Sequence, residues 1–228
     1  MATVVLVHGA WHGPWCFAKV LDGLATRGID AVAPELPLLG GLGADAELVA
    51  DLVAGIDGPV VLLGHSYGGQ VISAAAANWG TGDGGNVDHL VYLCALMLDE
   101  DENLQDVMAG GPNAFEAVKR DGDHRVVIPE LAAATFYGDC SQSDIDLALR
   151  SCRPMPASPP PPPGGPPAWR SIPSTYVVCE QDKAIPPDGQ RHLARHATHV
   201  VTWDVSHSPF FSRPDLMVDL LADLASGP

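Results

Sequence analysis

Val60-Val61-Leu62-Leu63-Gly64-His65-Ser66-Tyr67-Gly68-Gly69 is the stretch that decides how this chain folds. Four apolar residues with β propensity run straight into Gly-x-Ser-x-Gly, and Gln70-Val71-Ile72-Ser73-Ala74-Ala75-Ala76-Ala77 continues as a helix. A strand that turns at once into a helix holds the residue at its tip in a strained, exposed conformation. Gly64 and Gly68 carry no side chains, so strand and helix can close on each other while Ser66 Oγ stands clear. The helix N-terminus aims unpaired N–H groups and the positive end of its dipole at the same point. A serine so placed is suited to attack a carbonyl. The pentapeptide alone is a common glycine turn; the strand before it and the helix after it give it meaning.

Outward from that turn, short apolar runs alternate with helical patterns. Strands are expected near 3–8, 30–34, 60–64, 89–96, 174–179 and 198–203, and helices near 14–27, 44–55, 67–79, 187–196 and 213–225. Nearly continuous apolar, β-branched strands alternating with helices imply a parallel sheet covered on both faces. Functional residues then gather at the carboxyl ends of its strands. The rhythm breaks between 99 and 172, from the acidic run Asp99-Glu100-Asp101-Glu102 to a proline tract around Pro159 to Pro167. That length is too great for a plain loop. It predicts an inserted cap with helices near 103–108, 113–119, 129–135 and 143–150, and a stiff proline-rich return path. The core is then 1–98 and 173–228.

The 228 residues suit one α/β domain with such an insertion, and a 46% apolar content is enough to bury a core. The net charge of −16 argues against nucleic acid or an anionic membrane as partner, because phosphates would be repelled. Five cysteines, Cys16, Cys94, Cys140, Cys152 and Cys179, form no C-x-x-C pair and read as reduced thiols rather than a disulfide framework or zinc site. Thr3-Val4-Val5-Leu6-Val7 opens the chain as a core strand with no signal peptide before it, so a cytoplasmic location is expected.

A serine nucleophile needs a base, and the base an orienting acid. Ser-first hydrolases place the acid and then the histidine later in the chain. Ser174-Thr175-Tyr176-Val177-Val178-Cys179 is an apolar strand leading into Glu180-Gln181-Asp182-Lys183, and Val200-Val201-Thr202-Trp203 leads likewise to Asp204-Val205-Ser206-His207. Asp182 and His207 therefore sit at strand ends as acid and base, with Glu180 and Asp204 as competing carboxylates. His192, His196 and His199 are spaced like a metal face, but no H-E-x-x-H pattern or cysteine cluster accompanies them, so a solvated surface is expected and no metal. His8, His12 and His65 lie close to strand tips and are read as loop-shaping groups. Donors for an oxyanion are expected at the backbone N–H of Tyr67, and at that of Ala10 in His8-Gly9-Ala10-Trp11-His12-Gly13. Trp11, Leu96, Met97, Phe136, Trp169 and Phe210 are candidate apolar pocket residues.

These segments resemble the α/β-hydrolase superfamily, and within it the small group that holds plant methylesterases, hydroxynitrile lyases and bacterial relatives. The resemblance rests on Val5-Leu6-Val7-His8-Gly9-Ala10-Trp11-His12-Gly13, the elbow Gly64 to Gly69, Phe136 to Cys140 through Leu149 to Pro154, Tyr176 to Pro186, and Ser206-His207-Ser208-Pro209-Phe210. It implies a compact α/β-hydrolase fold: a mostly parallel six-stranded sheet flanked by helices, with an inserted helical cap. It favours Asp182 over Glu180. The lyases of the group carry a threonine in the oxyanion loop and a lysine after the catalytic histidine, where this chain has Gly9 and Ser208. The resemblance thus implies hydrolysis of a small-to-medium carboxylic ester, such as a methyl or aryl ester, with no cofactor and with a monomer or homodimer as the assembly. A lyase or cyclase using the same triad as a general base, and a ligand receptor on the hydrolase fold, are the competing expectations.

Overall fold

A computed structural model describes residues 1–77, 85–158 and 165–227. The chain begins with β1 (Thr3–Val7), α1 (Ala18–Thr26), β2 (Ala31–Val32), α2 (Gly41–Ala54), β3 (Val60–His65), α3 (Gly68–Ala75) and β4 (Val87–Leu93). After a long intervening segment it resumes with β8 (Ser174–Cys179), α7 (Pro187–Leu193), β9 (His199–Trp203), α8 (Pro209–Ser212) and α9 (Pro214–Ser226). Six strands pair in parallel in the order β2-β1-β3-β4-β8-β9. The expected strands are all present, with the second reduced to two residues. Asn78 and Trp79, expected to end the third helix, lie outside the described residues.

The two-residue period of the strands decides which helix packs where. Val4 and Leu6 of β1, Val61 and Leu63 of β3 and Val91 and Leu93 of β4 join one buried cluster with Val20 and Leu24 of α1 and Met217 and Leu221 of α9. The alternate residues Val5, Val7, Leu62 and Tyr92 join the other, with Val49 and Val53 of α2 and Val71 and Ile72 of α3. Every residue of β3 is buried, as a central parallel strand requires. Among the described residues no helix is long and apolar enough to cross a membrane. All five cysteines are free.

The segment between β4 and β8 holds α4 (Leu104–Met108), β5 (Val118–Asp121), β6 (His124–Val127), α5 (Pro129–Phe136), α6 (Gln142–Ser151) and β7 (Met155–Pro156). It differs from the all-helical expectation. The helix expected at 113–119 is a 3₁₀ turn at Ala114–Ala117 followed by β5, which pairs antiparallel with β6, and β6 with β7. The reason is Asp121-Gly122-Asp123-His124: Gly122 at φ 58 supplies the positive backbone angle of a two-residue hairpin turn. Three helices fall where expected, each with a recognisable start. Asn103 caps α4, Pro129 opens α5, and Ser141 caps α6. Pro159 to Gly164, the heart of the expected proline-rich return path, lie outside the described residues.

Candidate active site

Ser66 stands at the end of β3 with φ 54, a left-handed conformation that costs a non-glycine residue about 1–3 kcal/mol. The glycines around it explain how the turn closes. A Cβ on Gly64 would lie 2.4 Å from Gly68 O, and one on Gly68 would lie 2.5 Å from Val7 O. Any side chain there would force strand and helix apart. Ser66 is half-buried, and its own carbonyl accepts N–H groups from Gly69 and Leu96, both at 3.0 Å.

Asp182, after β8, and His207, after β9, are brought together. His207 Nδ1 donates to Asp182 Oδ2 at 2.7 Å, and both side chains are almost wholly shielded from solvent. This leaves Nε2 of the neutral ring as the acceptor. Asp182 Oδ1 accepts from the N–H groups of Ala184 (2.6 Å) and Ile185 (3.0 Å), and Oδ2 also accepts from Gln190 Nε2 at 2.8 Å. A buried carboxylate with four donors is satisfied as an anion and cannot rotate away. Glu180 instead pairs with Arg191, and Asp204 accepts from Gln181 at the surface. Neither competes for His207. No hydrogen bond to Ser66 Oγ is formed among the described residues; unliganded hydrolytic sites commonly hold this contact long and close it on substrate.

The loop after β1 lies directly against the elbow, since a Cβ on Gly9 would be 3.0 Å from Ser66 Cβ. Gly9 O accepts from His8 Nδ1 (2.9 Å) and His12 N (3.4 Å). Peptide planarity sends the following N–H, that of Ala10, in the opposite direction. Neither Ala10 N nor Tyr67 N donates to a described backbone carbonyl, so both remain free for an incoming oxygen. The Tyr67 side chain is anchored elsewhere, donating to Asp45 Oδ2 at 2.7 Å.

Four buried or nearly buried histidines crowd this region, and three of them are kept neutral. Burial pulls His8 down to about 4 and His12 down to about 3. His65 is held well below its ordinary value, first by burial and then by the neighbouring His207 and His12. Hydrogen bonding fixes their tautomers. His65 Nε2 donates to His207 O at 2.9 Å, which leaves Nδ1 a buried acceptor without a partner among the described residues. His12 Nδ1 donates to Ala10 O at 2.7 Å, so its Nε2 accepts from Tyr137 OH at 2.9 Å. The expectation that these residues shape loops agrees with these bonds. His192 and His196 both bond Glu102, at 2.7 and 3.0 Å, while His199 lies on β9, so the three form no common face. His65, Cys94 and His207 offer ligand atoms within 4.8 Å of one another. His65 Nε2 and His207 Nδ1 are already committed, to His207 O and to Asp182.

The six candidate pocket residues divide. Trp11 and Phe136 pack at 5.9 Å between centroids, and the Phe136 ring lies 5.9 Å from His207. Leu96 touches the elbow through its N–H bond to Ser66 O. Met97 and Phe210 expose no surface, so they are core; Phe210 is wedged edge-on against His65 at 4.9 Å. Trp169 is half-buried, packs against the second apolar cluster and stacks on His196 at 4.5 Å. A groove of about 370 Å³ lined by residues including Gly110, Pro112, Glu180 and Arg191 reaches Asp182 as well. The Asp182 carboxylate turns inward to His207, so the groove backs the pair rather than covering the serine. Gln190, Tyr137, Asp139 and Arg153 are site-supporting residues whose roles the sequence does not reveal; their partners lie 8 to 145 positions away.

A strained serine at a strand–helix elbow, followed in chain order by an acid and a histidine over a six-stranded parallel sheet, defines an α/β-hydrolase type of protein. The chain belongs to the Alpha/beta hydrolase family, whose profile matches residues 4–220. It is 29% identical to the alpha/beta hydrolase nvfD of Aspergillus novofumigatus over 97% of this chain and 96% of that protein. It is 26% identical to methyl jasmonate esterase 1 of Vitis vinifera, over 96% and 94% of the two chains. Among solved structures, a pyrethroid hydrolase from Sphingobium faniae JZ-2 superposes with a TM-score of 0.82 at 24% identity, covering 100% of this chain and 98% of the other. At that identity the superposition speaks for the fold.

Proposed function

We propose that this protein hydrolyses small-to-medium carboxylic esters through an acyl-serine intermediate. The observation that carries the proposal is the buried His207–Asp182 pair, with Nδ1 committed to the carboxylate and the His207 carbonyl bonded to His65, the residue before the strained Ser66. Ser66 Oγ attacks the ester carbonyl and passes its proton to His207 Nε2. The developing oxyanion is held by the N–H groups of Ala10 and Tyr67. Collapse breaks the C–O bond, and the alcohol leaves with the proton from Nε2. Water then loses a proton to Nε2, attacks the acyl carbon and releases the acid and Ser66. Asp182 keeps the imidazole in the productive tautomer and stabilises the cation. Segment 99–172 acts as the cap, and Trp11, Leu96 and Phe136 form the apolar wall, suited to methyl and aryl esters.

Two positions favour ester cleavage over cyanohydrin cleavage. A side chain at position 9 would begin 2.9 Å from His65 Nδ1, so a threonine has no room there. Ser208 is buried, its hydroxyl has no partner among the described residues, and it carries no charge to offer a leaving anion.

Short p-nitrophenyl esters and a fluorophosphonate probe test the proposal. Wild-type protein turns over the esters and is labelled at Ser66, whereas Ser66→Ala loses about 10⁴-fold or more in kcat and is not labelled. Full activity in Ser66→Ala overturns the assignment. Asp182→Asn is expected to lower kcat by up to ~10⁴ with the fold retained, and Glu180→Gln by less than about 2-fold. An equal loss in both would mean that Asp182 is not the orienting acid.

A further inference from the structure

The loop that carries Ala10 packs against His65 and Ser66 on one side and is bonded to the inserted segment on the other, through His12 and through the carbonyls of Trp11 and His12. Ala10 O accepts from His12 Nδ1, and Nε2 of the same ring accepts from the hydroxyl of Tyr137, at the C-terminal end of α5. Trp11 O accepts the backbone N–H of Arg153 at 2.8 Å, and Trp11 has φ 62, where a bulky residue stays only if its surroundings force it. His12 O accepts both Nε (3.2 Å) and Nη2 (3.0 Å) of Arg153. The same guanidinium donates to Leu36 O at 3.1 Å and pairs with Glu35 at 2.9 Å, which ties the loop after β1 to the loop after β2.

We infer that Arg153 and Tyr137 are positioning residues for the oxyanion donor: they hold Trp11 and His12 in place, and His12 N in turn bonds Gly9 O, so that the Gly9–Ala10 peptide turns its N–H toward the reacting carbonyl. The inference rests on the ester-hydrolase proposal. A planar fork is needed because one guanidinium serves two carbonyls on different loops, which a lysine ammonium cannot do with the same geometry. Tyr137 acts one step further out. The Ala10 carbonyl accepts only, so it holds the His12 proton on Nδ1, and the Tyr137 O–H then donates to Nε2 and pins the ring in that orientation. Neither residue is needed for proton transfer by His207.

The test compares Tyr137→Phe, Arg153→Lys and Lys19→Met with wild type. Lys19 anchors α6 to α1 through Asp144 at 2.8 Å, so its loss loosens the same segment away from the oxyanion loop. Tyr137→Phe is expected to lower kcat for p-nitrophenyl esters about 10-fold and Arg153→Lys about 10²-fold, with KM within about 2-fold, as for a misplaced transition-state contact. An aryl trifluoromethyl ketone, which adds Ser66 Oγ to give an oxyanion at the same donors, should lose affinity in parallel with kcat/KM. The acid limb of the pH profile should not move, because His207 and Asp182 are untouched. Lys19→Met should keep kcat within about 2-fold.

Wild-type kcat in both Tyr137→Phe and Arg153→Lys overturns the inference, as does an equal loss in Lys19→Met, which would mark a merely structural role. Tyr137→Phe deletes one hydroxyl and keeps the packing, so it decides the matter even if Arg153→Lys does not fold. Activity retained in Ser66→Ala would instead overturn the underlying proposal, and this inference with it. Loss in Ser66→Ala with full kcat in the two variants would overturn the inference alone.

Discussion

The six-stranded sheet and the segment between β4 and β8 are stabilised in different ways. In the sheet, alternate strand residues enter two large apolar clusters, and the loops at the strand ends inherit rigidity from them. The intervening segment has short elements that lend side chains such as Ala132, Phe136 and Tyr137 to the first cluster, and polar contacts then fix it to the loops. Lys19 bonds Asp144, Asp139 accepts from Ser206 N at 2.9 Å and from its hydroxyl, and Arg153 spans two loops. The contrast shows a division of work. The sheet places Ser66, Asp182 and His207, while the segment packs and orients the loops that carry them.

That contrast can be broken first at the elbow. Gly68→Ala places a Cβ 2.5 Å from Val7 O and 2.9 Å from His8 O, backbone atoms at the end of β1 and just beyond it. The expected cost is more than about 3 kcal/mol, read as a fall in the urea midpoint or as insoluble protein. A loss below about 1 kcal/mol would show that the elbow is softer than the packing implies.

Acid probes the seam between the two regions. His8 and His12 titrate at about 4 and about 3 when folded, against 6.5 when unfolded. The unfolded chain therefore binds more protons below pH 6.5. Stability is complete above that pH and falls as pH drops toward 4, on the order of 1.4 kcal/mol per pH unit for each histidine. Urea titrations at pH 7, 6 and 5 measure the slope. His12→Gln should flatten it, and an unchanged slope in that variant would remove His12 from the account.

The smallest effect belongs to the segment's outer anchor. The Lys19–Asp144 pair is half exposed on the lysine side, so Lys19→Met should cost less than about 1 kcal/mol and leave the sheet intact. A larger loss in the thermal midpoint than at Gly68→Ala would reverse the ranking of the two regions.

Much of the candidate site is legible in the chain because strand ends are legible. Asp182 and His207 each follow an apolar run by a few residues, and Ser66 sits between two glycines that only a close turn requires. The β5–β6 hairpin leaves little trace because its strands are four residues long and hold no fully buried residue, with Asp121-Gly122 as the one signal. Trp169 looked like a wall residue by type, but its ring found His196. Gln190 is a polar residue within a short helix, and no local pattern announces that its amide holds Asp182.

Hydrophobic period and glycine placement are local properties, so the sequence alone determines the parallel sheet, the strained elbow and the order of serine, acid and histidine. Hydrogen bonds between residues far apart in the chain leave no such trace. That His65 braces the carbonyl of His207, that Gly9 lies against Ser66, and that Arg153 holds the loop of Ala10 are decided only when the tertiary fold brings those groups within about 3 Å.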